Sequence, residues 1–363
     1  MVVHGLWTKK VERERGVSER ETYHEGPIAA LRRIAFLLER GREDTYKVKA
    51  FRGAAAAILP LGEDDVVAAV EDGSLTDLPG VGASSASVII DAVNGVLPDR
   101  LAKLEREHGG ALTTGGQELR SALRGDLHSH SDWSDGGSPI EEMAFTAIEL
   151  GHDYLVLTDH SPRLTVARGL SPERLRRQLG VVEAVNQHLS GAGFTLLKGI
   201  EVDILDDGSL DQDDELLGRL DLRVASVHSK LKMDSAAMTR RMIGAIRNPR
   251  TNVLGHCTGR LVTGGRGTRG QSEFDAKAVF EACAEHDVAV EINSRPERRD
   301  PPTRLLELAR DVGCLFSIDS DAHAPGQLDF QIYGCERAEQ AGIAAERIVN
   351  TWPQERLLAW ANG

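Results

Sequence analysis

GDLHSHSDWSDGG, residues 125–137, sets two imidazoles two positions apart, His128 and His130, and follows them with the carboxylate of Asp135 and a glycine pair. In an extended strand, residues i and i+2 project to the same side, so both rings can reach one point. Two imidazoles and a nearby carboxylate are the beginning of a metal site. The remaining ligands must arrive from elsewhere in the chain.

Outward from this stretch, one pattern repeats. A short run rich in Val, Ile and Leu ends in a polar residue, and a helix-like segment follows. The runs are Tyr154–Leu157 before Thr158-Asp159-His160, Phe194–Leu197 before Gly199-Ile200-Glu201, and Leu222–Val227 before His228. They continue with Asn252–Leu254 before Gly255-His256, Val288–Ile292 before Asn293, and Cys314–Ile318 before Asp319 and Asp321-Ala322-His323. With the opening DLHSH this predicts seven strands, and alternation of buried strand and helix predicts an α/β fold with parallel strands closed or nearly closed into a barrel. Functional residues of such barrels gather where the strands end. Of the 12 histidines, His128, His130, His160, His228, His256 and His323 fall at these ends, whereas His24, His152 and His188 fall in helices or tails. Six histidines sorted this way, with Asp135, Glu201 and Asp321, point to one cluster of metal ligands. Imidazole with carboxylate and without thiolate suits manganese, zinc or iron.

Composition sets the frame. A hydrophobic share of 41% and a charged share of 27% are those of a globular chain of two domains. No apolar run approaches the roughly 20 residues of a membrane span, and the N-terminus lacks the apolar core of a signal peptide. Cys257, Cys283, Cys314 and Cys335 form no CxxC pair, which disfavours a disulfide framework and a thiolate zinc site. A cytoplasmic location without a membrane partner is expected. The net charge of −13 argues against indiscriminate nucleic-acid binding, but leaves room for a local basic patch.

Before the barrel, residues 1–26 read as a polar extension. From Pro27, apolar residues Ile28, Leu31, Ile34, Ala35 and Leu38 fall at helical spacing, and Gly41 ends the segment. Further helices are predicted over 46–59, which carries Lys47, Lys49 and Arg52, and around 64–71. Leu78-Pro79-Gly80-Val81-Gly82 then opens another apolar helix. Its glycines permit close approach of a phosphate, and the helix N-terminus offers free N–H groups. This resembles the helix-hairpin-helix element, which binds the DNA backbone without reading sequence, and Lys47, Lys49, Arg52, Gly80 and Gly82 are the candidate DNA contacts. Residues 105–124, with two Gly-Gly pairs, are read as a linker between a helical domain over 27–104 and a second domain over 125–363.

Residues 28–104 resemble the N-terminal module of family X DNA polymerases, through YKVKAFRGAA and the LPGVG hairpin. Where lyase-active members carry a Schiff-base lysine this chain has Val88, with Ser84 at a neighbouring lysine position. Sugar-phosphate lyase chemistry is therefore not expected. The gap over 105–124 is too short for a polymerase palm. From residue 125 onward, TDHSPRLTVARGLSPERL, GIEVDILDDGSLD, VHS, GHCTGR and SIDSDAH resemble the polymerase and histidinol phosphatase (PHP) family, as attached to bacterial family X polymerases.

That resemblance implies a distorted seven-stranded (β/α)7 barrel holding three divalent metal ions. His128, His130, Glu201 and Asp321 would hold the first; Glu201 would bridge to a second held by His228 and His256. Asp135, His160 and His323 would hold the third, Asp135 standing where some members use histidine. The implied reaction is phosphoester hydrolysis by in-line attack of metal-bound hydroxide. Arg168, Lys230, Arg260 and Arg295 are the candidate phosphate contacts near the mouth. Three functions fit: processing of DNA ends as a 3′–5′ exonuclease or 3′-phosphatase, hydrolysis of small phosphomonoesters such as histidinol phosphate, and DNA binding with a purely structural metal cluster. The complete ligand set speaks against the last.

Overall fold

The computed structural model describes residues 21–264 and 267–363, so most of the polar extension lies outside the described residues. The chain divides into two compact units, one ending at Ala111 and one running Leu112–Gly363.

The first unit is helical. Pro27 occupies the first turn of the helix Gly26–Arg40, where its missing N–H leaves no bond unmade, and Gly41 follows the last residue. Leu31, Ile34, Ala35 and Leu38 are buried, as their spacing predicts. The helices Thr45–Ile58, Glu63–Asp72 and Ala83–Val93 come next, joined around Val48, Phe51, Ile58, Val66 and Ile89 in the core. Among the candidate DNA contacts, Lys47 pairs with Glu43 at 2.6 Å and Arg52 pairs with the buried Glu39 at 2.8 Å. Arg52 thus supports the fold of its own unit, while Lys49 stands exposed.

The two hairpin glycines differ in their reasons. Gly80 has φ +96, which favours glycine, and a Cβ there would lie 3.2 Å from the Gly53 carbonyl oxygen. Gly82 is extended, caps the helix Ala83–Val93, and a Cβ on it would meet nothing within 4 Å. Its N–H donates to Ser85 Oγ at 3.0 Å. Val88 is buried in that helix and Ser84 is exposed.

The stretch expected as a linker is more ordered than its glycines suggest. Glu105–His108 complete the helix Asp99–His108, whose Leu101 and Leu104 are buried. Arg33 holds Glu105 at 2.6 Å, and Arg40 donates to the carbonyls of His108 and, at 2.7 Å, Gly110. Gln117–Ala122 forms a further short helix. The second glycine pair is tied to the barrel unit, Gly115 and Gly116 donating to Glu336 and Glu339 at 3.1 and 2.7 Å.

The second unit has seven parallel strands in sequence order. They are β1 (Gly125–Ser129), β2 (Tyr154–Leu157), β3 (Thr195–Asp203), β4 (Leu222–Ser226), β5 (Val253–Leu254), β6 (Ala289–Asn293) and β7 (Phe316–Asp319). Because both faces are covered, the strands read as continuous apolar runs rather than as alternation. Three of the intervening helices start at a side-chain cap: Ser171, Asp234 and Asp275 each accept a backbone N–H from the first turn. The ring closes through a parallel bridge between Ser129 and Ala322, with the Leu127 N–H donating to Asp319 at 3.1 Å.

β1 and β2 meet where Gly125 lies against Tyr154: a Cβ on Gly125 would sit 2.4 Å from the Tyr154 carbonyl oxygen and 2.2 Å from its ring. Backbone cannot yield as a flexible side chain can. Gly125→Ala is therefore expected to cost about 1–3 kcal/mol, a fall of roughly 2–12 °C in melting temperature for a unit of this size. Circular dichroism melts check this, and an unchanged midpoint would contradict the close packing.

Candidate metal centre

The second half of β3 delivers Glu201 to the middle of the barrel, and five imidazoles surround its carboxylate. Oε2 lies 3.2 Å from His128 Nε2, 3.5 Å from His130 Nε2 and 2.9 Å from His160 Nδ1. Oε1 lies 2.8 Å from His256 Nε2 and 3.2 Å from His228 Nε2. Each ring comes from a different place: His128 from β1, and His130, His160, His228 and His256 from just beyond β1, β2, β4 and β5. Asp321 lies just past β7 with φ +50, and its Oδ1 is 3.4 Å from His130 Nε2 and 4.0 Å from His128 Nε2. Asp135 Oδ1 is 3.4 Å from His160 Nε2 and 3.3 Å from His323 Nε2. All nine residues singled out in the sequence are thus brought together.

Three groupings place ligand atoms within 4.8 Å of one another: His128, His130 and Glu201; His160, Glu201 and His228; and His130, Asp135, His160 and His323. The implied division of ligands assigned His130 to one ion, whereas its ring here also faces Asp135, His160 and His323. The donor set fits divalent cations on an observation within the cluster itself. His128 Nε2, both nitrogens of His130, His160 Nδ1, Glu201 Oε2, His228 Nε2 and His256 Nδ1 are buried without a hydrogen-bond partner. Buried polar atoms carry a cost unless something pairs them, and a cation shared among converging lone pairs does so.

Electrostatics follow from the same geometry. Burial pushes the Glu201 carboxyl up, yet His228, His128 and His160 hold it well below the usual carboxylate range. Burial likewise opposes ionisation of Asp321, and His128, Arg298 and His130 overcome it. His130 goes the other way: burial and the neighbouring His323 and His160 hold its ring well below the usual value.

A PHP-domain family model matches residues 126–295. A protein of Aeromonas hydrophila described as a probable phosphatase is 33% identical over 249 residues, covering 64% of this chain and 91% of that one. The chain belongs to the PHP family. With its ligand cluster, it is a metal-dependent phosphoric ester hydrolase. The PHP region is also 37% identical over 228 residues to the DNA polymerase/3′–5′ exonuclease PolX of Bacillus subtilis, covering 63% of this chain but only 39% of that relative. A solved histidinol phosphate phosphatase of Lactococcus lactis, complexed with zinc, L-histidinol and phosphate, covers 61% of this chain and 95% of its own at 17% identity and a TM-score of 0.46.

Around the PHP centre stands a ring of residues that the sequence pattern did not single out. His128 Nδ1 lies 2.6 Å from Glu291 Oε1, and the other oxygen of Glu291 accepts the His256 backbone N–H. His228 Nδ1 meets Asp203. Such partners fix the tautomer and leave the opposite ring nitrogen for a metal. Asp321 Oδ2 accepts from Asn293 Nδ2 at 3.0 Å and faces Arg298 Nε at 3.1 Å, which leaves Oδ1 toward the imidazoles. Two signals were available: a carboxylate, Glu291, inside the apolar run Val288–Ile292, and Asp203 two positions beyond Glu201 on the same strand.

The four basic candidates separate. Arg295 reaches the centre, its Nη1 3.0 Å from His323 Nδ1 and 3.4 Å from the Asp321 carbonyl. Arg168 instead donates to the carbonyls of Asp132 and Ser134, the latter at 2.8 Å from Nε, and so shapes the loop that carries Asp135. Arg260 donates to the carbonyls of Arg298, at 3.2 Å, and Arg299. Lys230 pairs with Asp206 on the surface. In these three the charge is engaged by groups of the fold, which spacing along the chain does not reveal.

Burial disfavours charge on His160, but Glu201 and Asp135 beside it raise the ring to about 10. The same contest, against burial and in favour of Glu201, raises His128 and His228. Raised values mean protons held at neutral pH, for which a divalent ion must compete. Metal uptake is therefore expected to release protons, and affinity to weaken as pH falls from about 8 to 6. Titration calorimetry in buffers of different ionisation enthalpy checks this; a heat independent of buffer would refute it. Glu291→Gln is expected to weaken metal affinity by about 10–100-fold, measured by competition with a chelator, and full retention would exclude an orienting role.

Proposed function

We propose that this phosphoesterase processes DNA ends, as a 3′–5′ exonuclease, a 3′-phosphatase or both. One observation carries the reading: a helical unit with a glycine hairpin precedes, in one chain, a PHP centre with all nine ligand positions filled by His, Asp or Glu. The 37% identity to the B. subtilis DNA polymerase/3′–5′ exonuclease supports it. The hairpin would grip the backbone through Gly82 and the N-terminus of the helix Ala83–Val93, with Lys49 as the exposed cation and Lys47, Arg52 and Gly80 completing the element.

The nine residues would hold three ions, manganese or zinc, with iron a further fit to imidazole and carboxylate. When bound, such ions clamp phosphoryl oxygens and make water acidic enough to attack phosphorus at neutral pH. The chain's own residues do the rest. Glu201 would bridge two of the positions. Glu291, Asp203, Asn293 and Arg298 keep the ligands oriented, and burial keeps bulk water from their lone pairs. Arg295, held beside His323, would meet the phosphoryl group as charge develops.

The second reading is a small-molecule phosphomonoesterase, such as one acting on histidinol phosphate. It is favoured by the A. hydrophila relative, 91% of whose length is matched, and by the ion pairs that engage Lys47 and Arg52.

With manganese, the purified protein is expected to release nucleotide or phosphate from 3′-hydroxyl and 3′-phosphorylated oligonucleotides at a higher kcat/KM than from histidinol phosphate. Untouched oligonucleotides beside rapid histidinol phosphate turnover would establish the second reading instead. Replacing His128 and His130 by alanine should reduce turnover to the metal-free background while leaving gel-shift binding of DNA intact.

A further inference from the structure

The loop Ser294–Pro301 is pinned from several sides. The Asn293 N–H donates to the Asp300 carbonyl at 2.9 Å, and the Val262 N–H to the Glu297 carbonyl at 2.7 Å. Asp300 accepts from Thr258 N–H and Oγ1 at 3.1 and 2.7 Å. Arg260 holds the carbonyls of Arg298 and Arg299, and Arg337 holds that of Pro301. A loop held this firmly presents its side chains in set directions.

It presents three arginines. Arg295 and Arg298 turn inward, onto His323 and Asp321. Arg299 does not. It is exposed and, among the described residues, its side chain makes no hydrogen bond or ion pair. Its backbone has φ +48, in the left-handed region that non-glycine residues seldom occupy. Strain of this kind persists only where the surroundings impose it, and it concentrates at ligand-gripping loops. Here Arg260 imposes it by binding the Arg299 carbonyl. The carbonyl therefore serves the fold, whereas the guanidinium serves no described residue. It also adds to a local excess of cations in a chain whose net charge is −13. Burial, and the like charges of Arg299 and Arg304, pull the Arg260 guanidinium below its usual value against the opposing carboxylate of Asp300.

We infer that Arg299 grips a second phosphate, next to the one being hydrolysed, so that this centre selects single-stranded oligonucleotides carrying successive phosphates. Arg298 and Arg299 are consecutive, their Cα atoms about 3.8 Å apart, so the pinned loop that touches the centre through Arg298 also carries the exposed cation Arg299. The inference rests on the DNA-end reading and names the local chemistry that would recognise the strand.

The test uses metal-loaded, full-length protein and labelled short oligothymidylates, with binding followed by fluorescence anisotropy over a range of salt. Removing one phosphate contact lowers the slope of log K against log salt by about 0.7 for a single strand. R299Q is expected to show that fall and R299K to retain the original slope. K277Q, which removes an exposed cation from the helix Ala276–Glu285, is expected to leave it unchanged. Metal content by mass spectrometry should match the unaltered protein in all three. An unchanged slope in R299Q, an equal fall in K277Q, loss of metal from R299Q, or no oligonucleotide binding by the unaltered protein would each overturn the inference. A slope change with uncut 3′ ends would leave Arg299 in place and remove the end-processing function. Cut ends with an unchanged slope would do the reverse.

Discussion

The barrel is built around one buried carboxylate. Glu201 sits amid His128, His130, His160, His228 and His256, all within 3.5 Å. Burial alone would neutralise it, and the imidazoles keep it charged. The same crowd would be costly by itself, since His323 lies 4.2 Å from His130 between ring centroids and, with burial, disfavours protonation of His130. Lone pairs that cannot all be protonated and find no hydrogen-bond partners are arranged for cations. That requirement explains why six strands, β1 to β5 and β7, and the segments after them converge on one point. It also explains why the closing bridge of Ser129 with Ala322 lies between the residues that carry His130 and Asp321.

Around that core, arginines do most of the positioning. Arg168 and Arg174 bind the carbonyls of residues 132–134 and shape the loop that carries Asp135. Arg260 and Arg337 bind the carbonyls of residues 298–301 and shape the loop that carries Arg295 and Arg298. A guanidinium has five donors in a fixed fork, so a single side chain can satisfy several loop carbonyls at once. The consequence for function is indirect but strong, because ligand placement depends on loops that have no regular ladder of their own.

The helical unit shows how far sequence pattern alone reaches. The stripe Leu31, Ile34, Ala35 and Leu38, the opening Pro27 and the closing Gly41 defined a helix that the structure places at Gly26–Arg40. The glycines over 105–124 suggested a long connection. Two leucines at Leu101 and Leu104, with Arg33 and Arg40 reaching across from the first helix, instead extend order to the end of the unit. Local composition carries no record of a partner some seventy residues away.

The sequence by itself determined the recurrence of apolar run, polar end and helix, because a strand buried on both faces must be apolar and the residues just past its end face the mouth. That recurrence made the parallel barrel and all nine clustered residues legible before any coordinate. Glu291 was hidden inside one such run and Asp203 at the end of the strand that carries Glu201, since a carboxylate within a strand looks like an interruption until its histidine is in view. Only the tertiary structure decided which charges were already engaged. Arg168, Arg260 and Arg295 read alike along the chain; two are held by loop carbonyls and one lies against His323, because hydrogen bonds between distant segments depend on distance and angle rather than on spacing.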